Sequence, residues 1–289
     1  MFYRRKIILA LLERLNGKIE GKRFQKLLFL FSRLETLSTY EFVPYKGKPY
    51  SFSAQADIDT MIKREFLEKT EEGFKILKAK SYLDELKAQD LNGLKELVKL
   101  YGAMDNTQLL AHIESKYPYY TSIPDNELSS CSVKPTPNTS AHEAVLYTIG
   151  YEGVSLENFL NNLLKHQVKL LVDVRDNARS QKFGFSKTRL KECCNAVGID
   201  YLHTPELGIK QSKRKEATSR SDYEALFEEY RINTLSTTGA YQEKVVQQLQ
   251  KYTRIALTCF EAKPEHCHRK PLAEVMQESG EVEFEICHI

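Results

Sequence analysis

Residues 169–180 read KLLVDVRDNARS. The run Lys169–Val174 holds three consecutive apolar residues, Leu170–Val172, with Val174 beyond, and is too short for a helix, the pattern of a buried strand in a parallel sheet. Charge follows at once, with Asp173, Arg175, Asp176 and Arg179 in or just beyond the run. In open α/β sheets ligands bind beyond the carboxyl ends of the strands, so this strand ends where a site is expected. The same alternation extends outward in both directions. Val145–Ile149, Ile199–Leu202, Ile255–Cys259 and Val282–Ile286 read as strands. Leu156–Leu164, Lys187–Val197, 221–235, 240–251 and 270–279 read as helices. The expected fold class is α/β, with an open, largely parallel sheet flanked by helices over residues 144–289.

The chain has 289 residues, 42% of them apolar and 28% charged, with 13 glycines and 9 prolines. That balance excludes a collagen-like, disordered or disulfide-scaffold chain, and the length favours two domains. No apolar run is long enough to cross a bilayer. The opening MFYRRKIILALLERLNGK is interrupted at Glu13 and Arg14 and does not read as a signal peptide. Together with six cysteines, this predicts a cytoplasmic chain with reduced thiols and no membrane partner. The clearest break is YPYYTSIPDNELSSCSVKPTPNTSAH, with four prolines and many Ser, Thr and Asn. It divides the chain into a domain at 1–117, a linker at 118–143 that contains Cys131, and a domain at 144–289.

The first domain reads as mainly helical. Ile7, Ile8, Leu11, Leu12 and Leu15 recur at helical spacing, and a second helix aligns Phe24, Leu27, Leu28, Phe31 and Leu34. Lys22, Gln25, Lys26, Ser32 and Arg33 are placed on that helix's polar face. YEFVPYKGKPYSFS reads as a strand-turn or wing and Phe66–Ile76 as a short hairpin, with helices near 54–65, 79–88, 92–101 and 105–116. Helices with a β-wing predict a winged-helix topology. Residues 1–50 carry 11 basic and 4 acidic side chains, so Lys22, Arg23, Lys26, Lys46 and Lys48 are expected to meet the phosphates of DNA or RNA. FQKLLFLF and FVPYKGKPYSF also give residues 1–80 a resemblance to the Panacea antitoxin-like domain. That resemblance implies that a protein partner is as open as DNA.

Around the expected strand ends, polar residues gather three times: Gly150-Tyr151-Glu152-Gly153, Asp173–Ser180, and Cys259-Phe260-Glu261 with His266-Cys267-His268-Arg269. Gly150 and Gly153 suggest a phosphate turn or simply a tight strand-to-helix turn. Asp173 and Arg175 suggest either a site or a structural ion pair. Lys270-Pro271 suggests that a helix starts here, which would place Cys267, His268 and Arg269 at its N-terminus. Cys267 would then have a lowered pKa and act as a nucleophile beside His268. Arg269 would bind an anion, and Glu261 would be acid/base or nucleophile. A metal is not expected, because adjacent residues of a CHR run do not readily converge on one ion and no C-x-x-C pair is present. Cys193 and Cys194 read as packing.

TIGYEG, LVDVRDNARSQKFGFSK, GIDYLHTPELG, LTCFE and CHR, in this order from Val145 to Ile289, resemble the domain-of-unknown-function 488 family. The resemblance implies an α/β fold with a shared polar pocket and names no reaction. Its pattern marks Gly150, Tyr151, Asp173, Val174, Arg175, Ser180, Leu207, Gly208, Cys259, Glu261, Cys267, His268, Arg269 and the final His288-Ile289. Ala178 departs from it, since proline is usual there.

Taken together, these readings predict an enzyme that acts on a nucleotide or nucleic acid by glycosyl or phosphoryl-group chemistry. Glu261, Cys267, His268 and Asp173 are the expected catalytic groups. Gly150, Tyr151, Arg175, Ser180, Cys259, Arg269 and His288 are expected to hold a nucleotide-like or other anionic small ligand. Lys210, Lys213, Arg214 and Lys215 are placed at the entrance, and no cofactor is expected. Two other readings stay open: a DNA-binding or antitoxin-like regulator that senses a small ligand, and a thiol protein using Cys259 and Cys267. The oligomeric state is not given by the sequence.

Overall fold

Apolar runs bounded by turn residues form one five-stranded sheet in the computed structural model, which describes residues 1–34, 38–77, 81–122, 144–210, 213, 219–280 and 282–289. The chain divides into two units, Met1–Ser132 and Val133–Ile289. The sheet belongs to the second. Its elements are β6 (Ala144–Gly150), α6 (Leu156–Lys165), β7 (Leu170–Asp173), α7 (Lys187–Ala196), β8 (Asp200–His203), α8 (Arg220–Asn233), α9 (Gly239–Tyr252), β9 (Arg254–Cys259), α10 (Arg269–Glu278) and β10 (Phe284–His288). In the first unit the elements are α1 (Tyr3–Arg14), β1 (Lys18–Glu20), α2 (Gly21–Ser32), β2 (Val43–Tyr45), β3 (Lys48–Tyr50), α3 (Phe52–Lys63), β4 (Leu67–Lys69), β5 (Gly73–Ile76), α4 (Ala88–Tyr101) and α5 (Asn106–Lys116).

The sheet order is β10-β6-β9-β7-β8, and every pairing is parallel. β6, β9 and β7 are therefore neighbours at its centre. In register, Gly150 lies beside Cys259 and Asp173 beside Thr258. The loops that leave these three strands are thus forced into one neighbourhood. Strand alternation sends Leu146, Leu170, Val172, Ile255 and Leu257 into a core shared with α8, α9 and α10. Phe159, Leu163, Leu190 and Cys193 of α6 and α7 are buried outside that cluster.

The first unit has its own core. Ile7–Leu12 are buried on every face of α1, and Phe24–Ser32 are all buried in α2. The polar face expected for α2 is therefore corrected at Gln25, Lys26 and Ser32, which are buried, whereas Lys22 and Arg33 are exposed. Gln25 exchanges hydrogen bonds with the backbone of Ser51 (2.9 and 3.3 Å), and Ser32 Oγ donates to Phe29 O. β1, β5 and β4 form an antiparallel sheet, and β2–β3 is a separate hairpin. Lys46 and Gly47 at its tip both have positive φ (48° and 67°), as a two-residue I′ turn requires. The helix expected near 79–88 is a single 3-10 turn at Leu83–Glu85, followed by the longer α4. Residues Pro118–Thr121, expected to begin the linker, form a helical turn whose Tyr120 packs on Phe29. The rest of that stretch, Cys131 included, lies outside the described residues. No described helix is long and apolar enough to cross a membrane.

Lys26 is corrected as a phosphate contact. It is 2% exposed, and its ammonium donates to Asn106 Oδ1 (2.7 Å) and to Lys22 O (3.0 Å). Arg23 also turns inward, with Nη2 donating to Gly102 O at the end of α4. Lys22 and Lys46 are exposed and Lys48 is half-buried. Burial, then the charges of Lys48 and Lys22, push the Lys26 ammonium down to about 8 from its usual 10.5. Between these values the unfolded chain holds a proton that the folded chain has released, so stability rises with pH. Denaturant unfolding of the native chain and of Lys26→Met checks this. Their stability difference, native minus variant, is expected to climb between about pH 8 and 10.5, and a flat difference refutes the assignment.

Candidate functional site

The site is built on a buried ion pair. Asp173 ends β7 and is 0% exposed; Arg175, two residues on, is 4% exposed. The guanidinium donates through Nε to Asp173 Oδ1 (2.8 Å) and pairs with Oδ2 through Nη2. Nη1 donates to Tyr151 Oη (2.7 Å) and to Phe185 O (2.9 Å). Tyr201 of β8 donates to Asp173 Oδ2 (2.6 Å), and His203 Nε2 donates to Arg175 O (2.8 Å). Burial alone would lower the Arg175 pKa, but its bonds to Asp173 and Tyr151 hold it raised. Removing one partner of such a pair costs about 3–5 kcal/mol. Asp173 is therefore corrected from catalytic group to anchor, since both of its oxygens are engaged away from solvent.

Tyr151 follows β6 and is 3% exposed. Its ring stacks on Phe185 (4.3 Å, 9°) and meets Phe260 edge-on (5.3 Å). Gly150 is also corrected: a Cβ there would stand 1.9 Å from Glu261 O, so the residue permits close approach of the β9 loop rather than cradling a phosphate. Gly208 does the same for the β7 loop, where a Cβ would lie 2.2 Å from Asp176 N.

Arg269 begins α10 and is 0% exposed. Its Nη1 donates to Glu261 O, Nη2 to Ala262 O (2.8 Å) and Nε to Thr148 Oγ1 (3.3 Å). The expected anion contact is thus corrected, because these donors are spent on the β9 loop and on Thr148 of β6. Thr148 Oγ1 is also hydrogen-bonded to His288 Nδ1 (2.7 Å), so His288 sits beside Thr148 rather than in the cavity. Burial, with Arg269 and Lys270, pushes the His288 pKa down.

Cys259, Cys267 and His268 converge with ligand atoms within 4.8 Å of one another, and all three are buried. The expectation that CHR neighbours diverge is overturned. The backbone passes from extended at Cys267 (φ −132°, ψ 135°) to helical at His268 (φ −62°, ψ −14°), which turns both side chains to one side. The nucleophile expected at Cys267 is corrected too. Burial, with a hydrogen bond and charge from Cys259, pushes its thiol well up, and it is 1% exposed. His268 is 1% exposed and cannot reach a ligand in the cavity; Cys259 is 0% exposed.

Beyond the strand ends lies an open cavity of about 410 Å³. Tyr151, Arg175, Ser180 and Glu261 border it, as expected, and the structure adds Asp176, Asn177, Arg179 and Phe260. Asp176, Asn177 and Arg179 are exposed, and Phe260 is 43% exposed on the rim. A second cavity of about 340 Å³ shares Asp176 and Ile209 with the first and is bordered by Lys210 and Lys213. Lys213 pairs with Glu229. Arg214 and Lys215 lie outside the described residues. Sequence reasoning placed Asp176, Arg179 and Phe260 within the gathered runs but assigned none of them a role.

Residues 155–276 match the family model described as Domain of unknown function DUF488. The match lies wholly in the second unit and does not bear on residues 1–80. No curated protein sequence matches the chain. Among solved structures, the signal recognition particle receptor FtsY of Elizabethkingia anophelis in complex with GDP aligns over 94% of this chain and 73% of its own, at 12% identity and a TM-score of 0.28, too low to relate the two folds.

Proposed function

We propose that the second unit is a catalytic domain acting on a glycosidic bond of a nucleotide-like ligand. The observation that carries this is the placement of two carboxylates, Glu261 after β9 and Asp176 after β7, on the border of one open cavity at the strand ends. A sugar centre losing its leaving group becomes cationic, and carboxylates on either side stabilise that charge. Phosphoryl transfer spreads negative charge instead, which paired carboxylates repel. Phe260 offers an exposed ring on the rim for a base to stack on, and Arg179 an exposed cation for phosphate. Arg175 cannot release its donors and acts as a wall that positions Tyr151.

The first unit, in the same proposal, is a nucleic-acid-binding winged helix. Its chain order α1-β1-α2-β2-β3-α3-β4-β5, with a β2–β3 hairpin inserted between α2 and α3, and its sheet order β1-β5-β4 support this reading. The wing would then be the β4–β5 hairpin rather than β2–β3. Lys22 and Lys48 both press on the charge of Lys26, so they share one basic neighbourhood that a polyanion would relieve.

Two experiments test the two halves. Nucleotides, nucleosides and short oligonucleotides are incubated with the full chain and released bases or sugars separated by chromatography. Glu261→Gln is expected to lower turnover about 100-fold or more, with ligand affinity within about threefold, whereas Phe260→Ala weakens affinity about tenfold. Undiminished turnover in Glu261→Gln refutes the catalytic assignment, and a ligand that binds and is always returned unchanged makes the unit a sensor.

For the first unit, salt-dependent retention on duplex DNA and on RNA is measured. The double variant Lys22→Glu/Lys46→Glu is expected to bind about tenfold or more weakly with a shallower salt slope. Lys26→Met should bind like the native chain. Equal retention of all three proteins removes the basic patch from the proposal.

A further inference from the structure

We propose that Cys259, Cys267 and His268 bind a zinc ion beneath the floor of the cavity. The separations are those of a coordination shell. Cys259 Sγ lies 3.7 Å and Cys267 Sγ 3.9 Å from His268 Nδ1, and all three atoms fall within 4.8 Å of one another. Zinc–sulfur bonds of about 2.3 Å and zinc–nitrogen bonds of about 2.0–2.1 Å place tetrahedral ligands about 3.6 Å apart across S···N and about 3.8 Å across S···S. The two S···N separations already match to within a few tenths of an ångström, and the sulfurs, within 4.8 Å of each other, close to about 3.8 Å on binding.

The imidazole is already set for this role. Its Nε2 lies 3.0 Å from Val174 O, a carbonyl that only accepts, so Nε2 carries the proton and Nδ1 turns its lone pair to the two sulfurs. A carbonyl on the far nitrogen is the usual outer partner of a metal-bound histidine. Tyr230 meets the ring edge-on at 5.6 Å and is itself anchored by a 2.6 Å bond to Leu207 O, which fixes the ring plane.

Charge and donor type choose the ion. Two thiolates and a neutral imidazole around a divalent cation sum to zero, the balance that a buried pocket tolerates. Sulfur donors select zinc over magnesium, calcium or manganese. Three protein ligands leave one tetrahedral position for a small molecule or a further side chain. On binding, both thiols give up their protons to solvent, so each ion taken up releases two protons and no redox partner is needed. The inference does not depend on the glycosidic reading, since its readout is metal content and not turnover.

The full chain is purified without chelator and its zinc counted by mass spectrometry. About one zinc per chain is expected, falling below a tenth in Cys259→Ser and in His268→Asn and unchanged in Cys287→Ser. The metal-stripped native chain is then refolded with cobalt(II), which is expected to give a thiolate-to-cobalt charge-transfer band in the near ultraviolet, absent in Cys259→Ser. If the variants fail to fold, the native chain decides. A native chain without zinc and without the cobalt band refutes the site and leaves a buried thiol–imidazole hydrogen-bond cluster. Full zinc retained by folded Cys259→Ser and His268→Asn also refutes it.

Discussion

A guanidinium taken out of water must be surrounded by acceptors, or it destabilises whatever surrounds it. Arg175 and Arg269 are both nearly sealed from solvent, and both find their acceptors on loops that leave the central strands. Arg175 draws Asp173, Tyr151 and the Phe185 carbonyl together, and so fastens the chain after β6 to the chain after β7. Arg269 reaches from the first turn of α10 to the carbonyls of Glu261 and Ala262, and so fixes the loop after β9. These two hubs add polar ties to loops whose apolar contact runs through Tyr151, Phe185 and Phe260.

This arrangement separates residues that hold from residues that can act. Asp173, Arg175 and Arg269 carry the strongest charges near the strand ends, yet their hydrogen-bonding capacity is spent inside the protein. In the proposed reading, chemistry falls to the groups that the hubs place on the border of the cavity: Glu261, whose backbone is gripped, and Asp176, held by the close approach of Gly208. Preorganisation of this kind is what a site gains from a rigid support, because the acting group pays little ordering entropy when a ligand arrives.

Much of the second unit was legible in the sequence. KLLVDV and the run at Ile255–Cys259 read as strands because apolar runs of that length have few other uses, and the helices between them follow from their spacing. The convergence of Tyr151, Arg175 and Glu261 at one cavity was legible as well, since parallel strands deliver their carboxyl ends to one edge. What the sequence does not carry is which way each charge points. Lys26 looks like the polar face of α2, and only the placement of α5 and β3 over it makes it buried. Gly150 looks like a phosphate turn, and only the approach of the Glu261 carbonyl shows what the missing side chain is for. Both are consequences of packing between segments distant in the chain, and local pattern has no access to them.

The CHR run shows the same limit in a sharper form. Cys267 and His268 suit a metal and Arg269 an anion, yet the run reads as a dispersed set, because adjacent side chains do not readily converge on one point. One change of backbone conformation between Cys267 and His268 turns these two to one side. Cys267 and His268 then face Cys259, eight and nine positions away, while Arg269, the third of the run, enters α10 and points to the β9 loop instead. A loop of seven residues between the first ligand and the second, folded as a 3-10 turn, takes the place of the short C-x-x-C knuckle that spacing rules look for. The donor set is thus assembled by a helix start rather than by a knuckle, and the same helix start carries the arginine that fixes the carboxylate-bearing loop above it.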